Sequence, residues 1–98
     1  MEFHTAFKTF LSGAQKIINV YYSRNFPSLD IPQLEFTAGK RYIRVTTNGS
    51  AFCFVDKESG DVLKPNGWKT PAKHARGNIH DDDNGLGLMT AYGPKSLR

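Results

Sequence analysis

The sequence has little cysteine and no long apolar run. Cys53 is the single cysteine among 98 residues, so no disulfide can form within the chain. One thiol is also too few for a zinc cage built from thiolates. No segment approaches the roughly 20 apolar residues of a membrane-spanning helix, and the first residues lack the features of a signal peptide. We therefore expect a protein of the cytoplasm that has no membrane partner.

Charge is modest in amount but unevenly placed. The formal net charge of +4 supports a polyanionic partner only weakly. Asp61 is the one acidic residue within positions 61–80, which hold four cationic side chains: Lys64, Lys69, Lys73 and Arg76. Asp81–Asp83 follow at once. Such a basic segment is compatible with nucleic-acid binding.

Residues 1–25 have the pattern of an amphipathic helix. Apolar side chains recur at spacings of three and four from Phe3 to Tyr21. Gly13 lies within this pattern and weakens an isolated helix by roughly 1 kcal/mol relative to alanine. Packing against another element must therefore stabilise the helix, which Pro27 prevents from continuing.

Residues 33–64 change to a period of two, which is typical of strands. Asn48-Gly49 is the preferred pair for a two-residue type I′ turn. It predicts a hairpin between Arg41–Thr47 and Ser50–Asp56, and Asp61–Lys64 reads as a further strand. The sequence thus predicts an antiparallel meander of three to four strands.

The turn also predicts a strand register. Counting outward from it pairs Val45 with Phe52, and Ile43 with Phe54, on the face that receives the helix. The opposite face is mixed in polarity. Either the later chain or a partner is expected to cover it.

Residues 65–98 differ in kind from the sheet. Thr70, Pro71 and Gly77 follow the order of helix cap, first-turn proline and terminal glycine. We predict a short helix at Pro71–Arg76 within an otherwise irregular, basic C-terminal third. The whole chain is then a single α+β domain over residues 1–98, with the N-terminal helix packed on the meander.

Two segments carry a family resemblance. Gly60–Pro65 and Trp68–Ile79 read GDVLKP and WKTPAKHARGNI, and they resemble a family of small uncharacterised proteins encoded by bacteriophages and found in environmental viral sequences. The resemblance covers roughly residues 50–98. It implies a viral origin and a place in the host cytoplasm. The family has no established activity, so the resemblance implies no residue roles.

The leading hypothesis is a non-catalytic module that binds single-stranded DNA or RNA. Single-strand binders combine phosphate contacts with aromatic stacking, and the basic segment offers both in Lys64, Trp68, Lys69, Lys73, His74 and Arg76. Tyr42 and Arg44 provide a second platform on the sheet. The structural alternatives are that the basic segment is a solvated surface whose charges pair with Asp81–Asp83, and that Tyr42 packs beneath residues 68–92.

A second hypothesis is a protein-interaction or virion-associated module. The helix stripe continues into Tyr21, Tyr22 and Phe26, which exceed what a small sheet can cover. Surplus aromatic surface often marks a subunit interface. A homodimer through these residues, or through a sheet edge, is the corresponding prediction.

Catalysis is the third and weakest hypothesis. A small metal-assisted hydrolase would draw on His74, His80 and Asp81–Asp83, but their spacing matches no calcium loop or zinc motif. Cys53 lies between two phenylalanines, where cysteine usually acts as a small core residue. We expect no enzyme activity, no metal site and no cofactor.

Overall fold

The computed structural model describes residues 2–95 and arranges them as one helix and two antiparallel sheets. Helix α1 spans Phe3–Asn25. The main sheet is a meander in chain order of five strands, β1 (Glu35–Ala38), β2 (Tyr42–Thr47), β3 (Ser50–Asp56), β4 (Asp61–Pro65) and β5 (Pro71–Asn78). A small second sheet pairs β6 (Met89–Thr90) with β7 (Gly93–Pro94). The predicted α+β class is confirmed, whereas the predicted count of three to four strands was too low.

Helix α1 begins at a side-chain cap. The carboxylate of Glu2 accepts hydrogen bonds from the backbone N–H groups of His4 (3.1 Å) and Thr5 (2.8 Å) and from the hydroxyl of Thr5 (2.8 Å). These bonds satisfy donors that the first helical turn leaves without partners. The bonds from Thr5, and then that from His4, lower the pKa of Glu2. Within residues 2–95 no helix has the length and apolarity needed to cross a membrane.

The apolar stripe of α1 packs on one face of the main sheet, which we call the inner face. Its buried residues are Ala6, Phe7, Phe10, Ala14 and Ile18. They meet alternate residues of three strands: Ile43, Val45, Cys53, Val55 and Val62. Gly13 lies against Leu86 of the segment that follows β5, and a Cβ at position 13 would require the end of the Leu86 side chain to move. We call the opposite side of the sheet the outer face.

The predicted hairpin turn is confirmed. Asn48 and Gly49 adopt φ values of 48° and 79°, as a type I′ turn requires. Thr47 pairs with Ser50, in the predicted register. The turn chemistry alone was sufficient to locate this reversal of the chain.

The predicted register fails after the first two pairs because β3 contains a bulge. Val45 pairs with Cys53, one residue beyond the predicted Phe52. Residues 51–55 are apolar without interruption, so alternation could not reveal an extra residue. The slip by one residue turns Phe54 from the inner face to the outer face.

The predicted short helix at Pro71–Arg76 was wrong, because strand β5 occupies these residues. Ala75 pairs with Leu63, and register shifts accompany the pairing of β4 with β5. A proline is tolerated at the first position of an edge strand, and sheet pairing overrides the local capping signal.

Residues 79–95 close the core beside β5. The buried Ile79 accepts a hydrogen bond at its carbonyl from the side-chain amide of Asn84 (3.2 Å). Gly85 lies directly against Gly77, where a Cβ would stand 3.0 Å from the Gly85 carbonyl oxygen. Met89 of β6 joins the core. The segment predicted as irregular therefore contains β5 and a small hairpin, and its residues 96–98 lie outside the described part of the chain.

Candidate nucleic-acid interface

A row of cross-strand partners runs over the outer face. The registers place one residue from each of the five strands in it: Thr37, Arg44, Phe54, Leu63 and Ala75. Phe54 is 2% exposed and Leu63 is 6% exposed, although α1 packs on the other side of the sheet. Neighbouring side chains of the outer face must therefore cover this apolar pair.

Phe54 is covered within a continuous series of cation–ring and ring–ring contacts, which we call the outer-face stack; its members, in order, are Arg41, Tyr42, Phe54, Arg44 and Trp68. The guanidinium carbon of Arg44 lies 4.4 Å from the Trp68 ring centroid and 6.0 Å from that of Phe54. Phe54 meets Tyr42 edge to face at 6.2 Å. Arg41 in turn lies 5.3 Å from the Tyr42 ring. Each such cation–ring contact contributes about 0.5–1 kcal/mol at an exposed site.

Trp68 reaches the stack on a loop that folds back over the sheet. The N–H of Asn66 donates to the Thr70 carbonyl (2.8 Å), which closes the loop, and Gly67 adopts φ 110° within it. The Nε of Arg44 donates to the Trp68 carbonyl (2.9 Å) and fastens the loop to β2. Trp68 remains 47% exposed. Part of its ring surface is thus open to a ligand.

A basic groove of about 230 Å³ adjoins the stack. Its walls are formed by Thr37, Gly39, Lys40, Arg41, Tyr42, Arg44, Phe54 and Lys69. Four of these residues are cationic and none is acidic. The volume is below the roughly 300–1,000 Å³ typical of small-molecule pockets. The groove suits one planar ring or one phosphate of a longer ligand.

Asp56 lies beside this groove and engages one of its cations. Its Oδ2 forms an ion pair with Arg41 at 3.2 Å, while its Oδ1 accepts the N–H groups of Glu58 (2.8 Å) and Ser59 (3.3 Å). Burial raises the pKa of Asp56, but the two N–H groups and Arg41 outweigh burial, so that the net pKa is lowered. Arg41 is therefore neutralised locally, and Lys40, Arg44 and Lys69 supply the positive charge.

The structure brings together half of the predicted binding residues. Tyr42, Arg44 and Trp68 belong to the outer-face stack, and Lys69 lines the groove. Tyr42 was weighed as packing beneath residues 68–92. Instead it meets Phe54 edge to face and lines the open groove, where it is partly exposed. These four residues remain candidates for ligand contact.

Lys64 and Arg76 are separated from that group. Alternation along β4 turns Lys64 away from its outer-face neighbour Leu63, and Arg76 lies at a register shift, where Ala75 pairs with Leu63 but Gly77 pairs with Val62. Lys64 Nζ donates to the Pro94 carbonyl (3.3 Å), and Arg76 Nε donates to the Lys95 carbonyl (3.1 Å). Both side chains therefore hold the segment of β7 in place.

Lys73 and His74 are exposed on β5, outside the groove lining. The His74 carbonyl accepts a hydrogen bond from the guanidinium of Arg76. Predicted partners for the basic segment were Asp81–Asp83. Among residues 2–95, however, the ion pair is that of Arg41 with Asp56.

Sequence reasoning missed Lys40 and Arg41 as groove residues. No local pattern links position 40 to position 69. Their proximity arises only because the Trp68 loop folds over the sheet. The one available signal was that a basic pair directly precedes Tyr42, already a candidate.

The residues weighed for catalysis are not assembled into a site. His80 and Asp81–Asp83 line a shallow depression, and His74 is not part of it. Within residues 2–95 no group of three or more His, Cys, Asp or Glu side chains is placed to hold a metal ion. Cys53 is buried, and this burial raises the pKa of its thiol. A neutral thiol in the core fits the predicted structural role.

The comparison with protein families decides the kinship of the chain. A family model described as a family of unknown function, DUF7717, matches residues 13–92. The chain belongs to the DUF7717 family. The match spans the entire main sheet, and with it the outer-face stack and the groove. No curated protein and no solved structure matches the chain.

The family match is longer than the stretch of about residues 50–98 that carries the resemblance to phage proteins. It includes most of α1 as well as β1 and β2. The viral origin stays a prediction, since the DUF7717 match concerns sequence kinship alone. The family description assigns no role to any residue.

Proposed function

We propose that the outer face binds single-stranded nucleic acid. The observation that supports this most is the basic groove, which lies directly beside the half-exposed ring of Trp68. Lys40 and Lys69 would contact phosphates, while Trp68 would stack on a base. Arg44 would serve mainly to orient Trp68, because its guanidinium is held between two rings and its Nε is already bonded.

The geometry favours a single strand over a duplex. An exposed aromatic ring binds the face of an unstacked base, and bases in a duplex offer no free face within the helix. Base–aromatic stacking contributes about 1–3 kcal/mol per base and tolerates any sequence. The groove admits one phosphate or ring at a time, as expected for an extended strand that crosses the sheet.

Fluorescence and polarisation titrations test this proposal. Trp68 is the sole tryptophan, so its emission reports directly on the stack. We expect oligomers of about 12 nucleotides to quench it, and the affinity to fall steeply between about 50 and 200 mM salt because counterions are released. Lys69→Glu should weaken binding at least about tenfold and lower the salt slope by roughly 1.

The matched control is Lys8→Glu, which makes the same charge change on an exposed position of α1. It should have little effect on affinity. Absence of binding at low salt would remove nucleic acid as the partner. Equal losses of affinity for the oligonucleotide in Lys8→Glu and Lys69→Glu would show that binding depends only on the net charge of the protein. That result would refute the assigned site.

The alternative is a protein-interaction or virion-associated module that acts as a homo-oligomer. Tyr21, Tyr22 and Phe26 do form one aromatic cluster at the end of α1, to which Tyr92 adds an edge-to-face contact at 5.3 Å from Tyr21. Analytical ultracentrifugation of the same samples distinguishes the nucleic-acid-binding proposal from this alternative. A stable oligomer that ignores Lys69→Glu but dissociates on Phe26→Ala would favour the alternative.

A further inference from the structure

A second surface lies along the exposed side of α1 and, unlike the basic groove of the outer face, has an apolar centre. A groove of about 420 Å³ is lined by Lys16, Ile17, Val20, Tyr21, Arg24 and Asn25. Val20 is 52% exposed. These positions form two rows with a spacing of four residues, one from Lys16 to Arg24 and one from Ile17 to Asn25. The groove is therefore the space between two adjacent i±4 ridges of the helix.

Helices pack by placing a ridge of one into such a groove of the other. When i±4 ridges interdigitate, the axes cross at about −50°. The middle of this groove is apolar, formed by Ile17, Val20 and Tyr21. The α1 groove is thus shaped for a single ridge of apolar side chains on a second helix.

The positive charge of the α1 groove indicates that the second helix carries acidic side chains. Lys16 and Arg24 stand at the two ends of the groove, and residues 3–25 contain no Asp or Glu. Among residues 2–95 neither cation takes part in an ion pair. A helical rise of 1.5 Å per residue sets the two cations roughly 12 Å apart along the axis. Carboxylates near both ends of the incoming ridge would complement them.

The same charges disfavour a second copy of this chain. In residues 2–95 the helix that a second copy can offer is α1 itself. A two-fold contact through this groove would place Lys16 and Arg24 against the same cations of the other copy, and like charges brought together across an interface cost several kcal/mol.

We propose that the α1 groove docks an acidic amphipathic helix of another protein. The partner presents an apolar i, i+4 ridge flanked by Asp or Glu. This interaction is independent of nucleic-acid binding on the outer face. The two surfaces would let the chain bring an acidic protein to a nucleic-acid strand.

Two synthetic helical peptides with the same leucine ridge test the proposal, one flanked by Glu and the other by Lys. In ¹H–¹⁵N spectra of the full chain, the Glu peptide should shift resonances of residues 16–25 and bind at least about tenfold tighter than the Lys peptide. The double variant Lys16→Glu/Arg24→Glu should reverse that preference. Val20→Asp should abolish binding while leaving the melting temperature and DNA affinity unchanged.

Three outcomes would overturn the proposal. The first is equal binding of the two peptides, or no shift in residues 16–25 with either one at millimolar concentration. The second is a concentration-dependent dimer that Val20→Asp dissociates, since a second copy would then occupy the groove. The third is binding to phosphatidylglycerol vesicles that Val20→Asp removes, in the absence of peptide binding.

Discussion

Arg44 shows how one residue can set the character of a whole surface. Its guanidinium fills the space between Trp68 and Phe54, and its Nε holds the Trp68 carbonyl at 2.9 Å. A planar guanidinium can stack and donate at the same time, which the compact ammonium of lysine cannot reproduce. The exposed loop thereby acquires a fixed orientation without a large apolar contact.

Gly67 and Gly93 have the same kind of backbone conformation but different surroundings, so substitutions at the two sites distinguish backbone strain from steric collision. Gly93 and Gly67 have φ values of 115° and 110°, so alanine is strained by about 1–3 kcal/mol at either site. Only at Gly93 would the added Cβ collide, at 2.6 Å from the Phe52 carbonyl oxygen, whereas nothing lies within 4 Å at Gly67. We expect Gly93→Ala to destabilise the fold by about 1–3 kcal/mol more than Gly67→Ala.

Urea denaturation of the two variants measures this difference directly. Equal losses of unfolding free energy would mean that β7 does not press against the Phe52 backbone. The close contact between β7 and β3 would then be absent in solution.

At the scale of elements, the sequence predicted what is encoded locally. The apolar spacing of α1 and the Asn48-Gly49 turn each operate over a few residues, and both were placed correctly. The bulge in β3 was hidden in an unbroken apolar run. Strand β5 was misread because its capping signals are local, whereas its stability comes from pairing with β4. The position of Lys69 in the basic groove depends on a loop fold that no short pattern reports.

The placement of Lys64 and Arg76 makes a prediction about strand β7. Replacing both with methionine removes two charged hydrogen bonds to carbonyls of the β7 segment, and each such bond contributes about 1.5–3 kcal/mol. We expect a clear loss of unfolding free energy with little change in DNA affinity. Methionine retains much of the side-chain bulk, so lost packing adds little.

The matched variant is Lys40→Met/Lys69→Met, which also removes two positive charges, from +4 to +2. It should behave in the opposite way, with a near-normal urea midpoint and weakened DNA binding. If Lys64→Met/Arg76→Met instead lowered DNA affinity as strongly, the assignment of Lys64 and Arg76 to stability and of Lys40 and Lys69 to binding would be wrong.

For the whole molecule, two carboxylates connect stability to pH. Glu2 caps α1 and Asp56 closes the β3–β4 turn, and both have lowered pKa values in the folded state. Their contribution to the free energy of unfolding is therefore complete above the pKa values of the unfolded state, which are about 4. This contribution is lost as the pH falls through the pKa values of the folded state. We expect the urea midpoint to hold from neutral pH to about pH 5 and to fall below about pH 4.

Asp56→Asn should flatten that acid dependence and lower the midpoint at neutral pH, because the Arg41 ion pair is lost. Asp82→Asn removes an exposed carboxylate and serves as the control. Parallel pH profiles for Asp56→Asn and the unaltered chain would show that Asp56 does not carry the effect.

The strand order of the main sheet has a kinetic consequence. Every strand pairs with its neighbour along the chain, from β1 through β5. Each hairpin then closes a short loop, so little chain entropy is lost at any step of sheet assembly. The slow, long-range step is left to α1 and the β6–β7 hairpin, which come from opposite ends of the chain and meet over the inner face. An incomplete chain still on the ribosome could thus pair its first strands and dock α1 on them early, but the part of the core that Met89 completes would stay open until β6 had emerged.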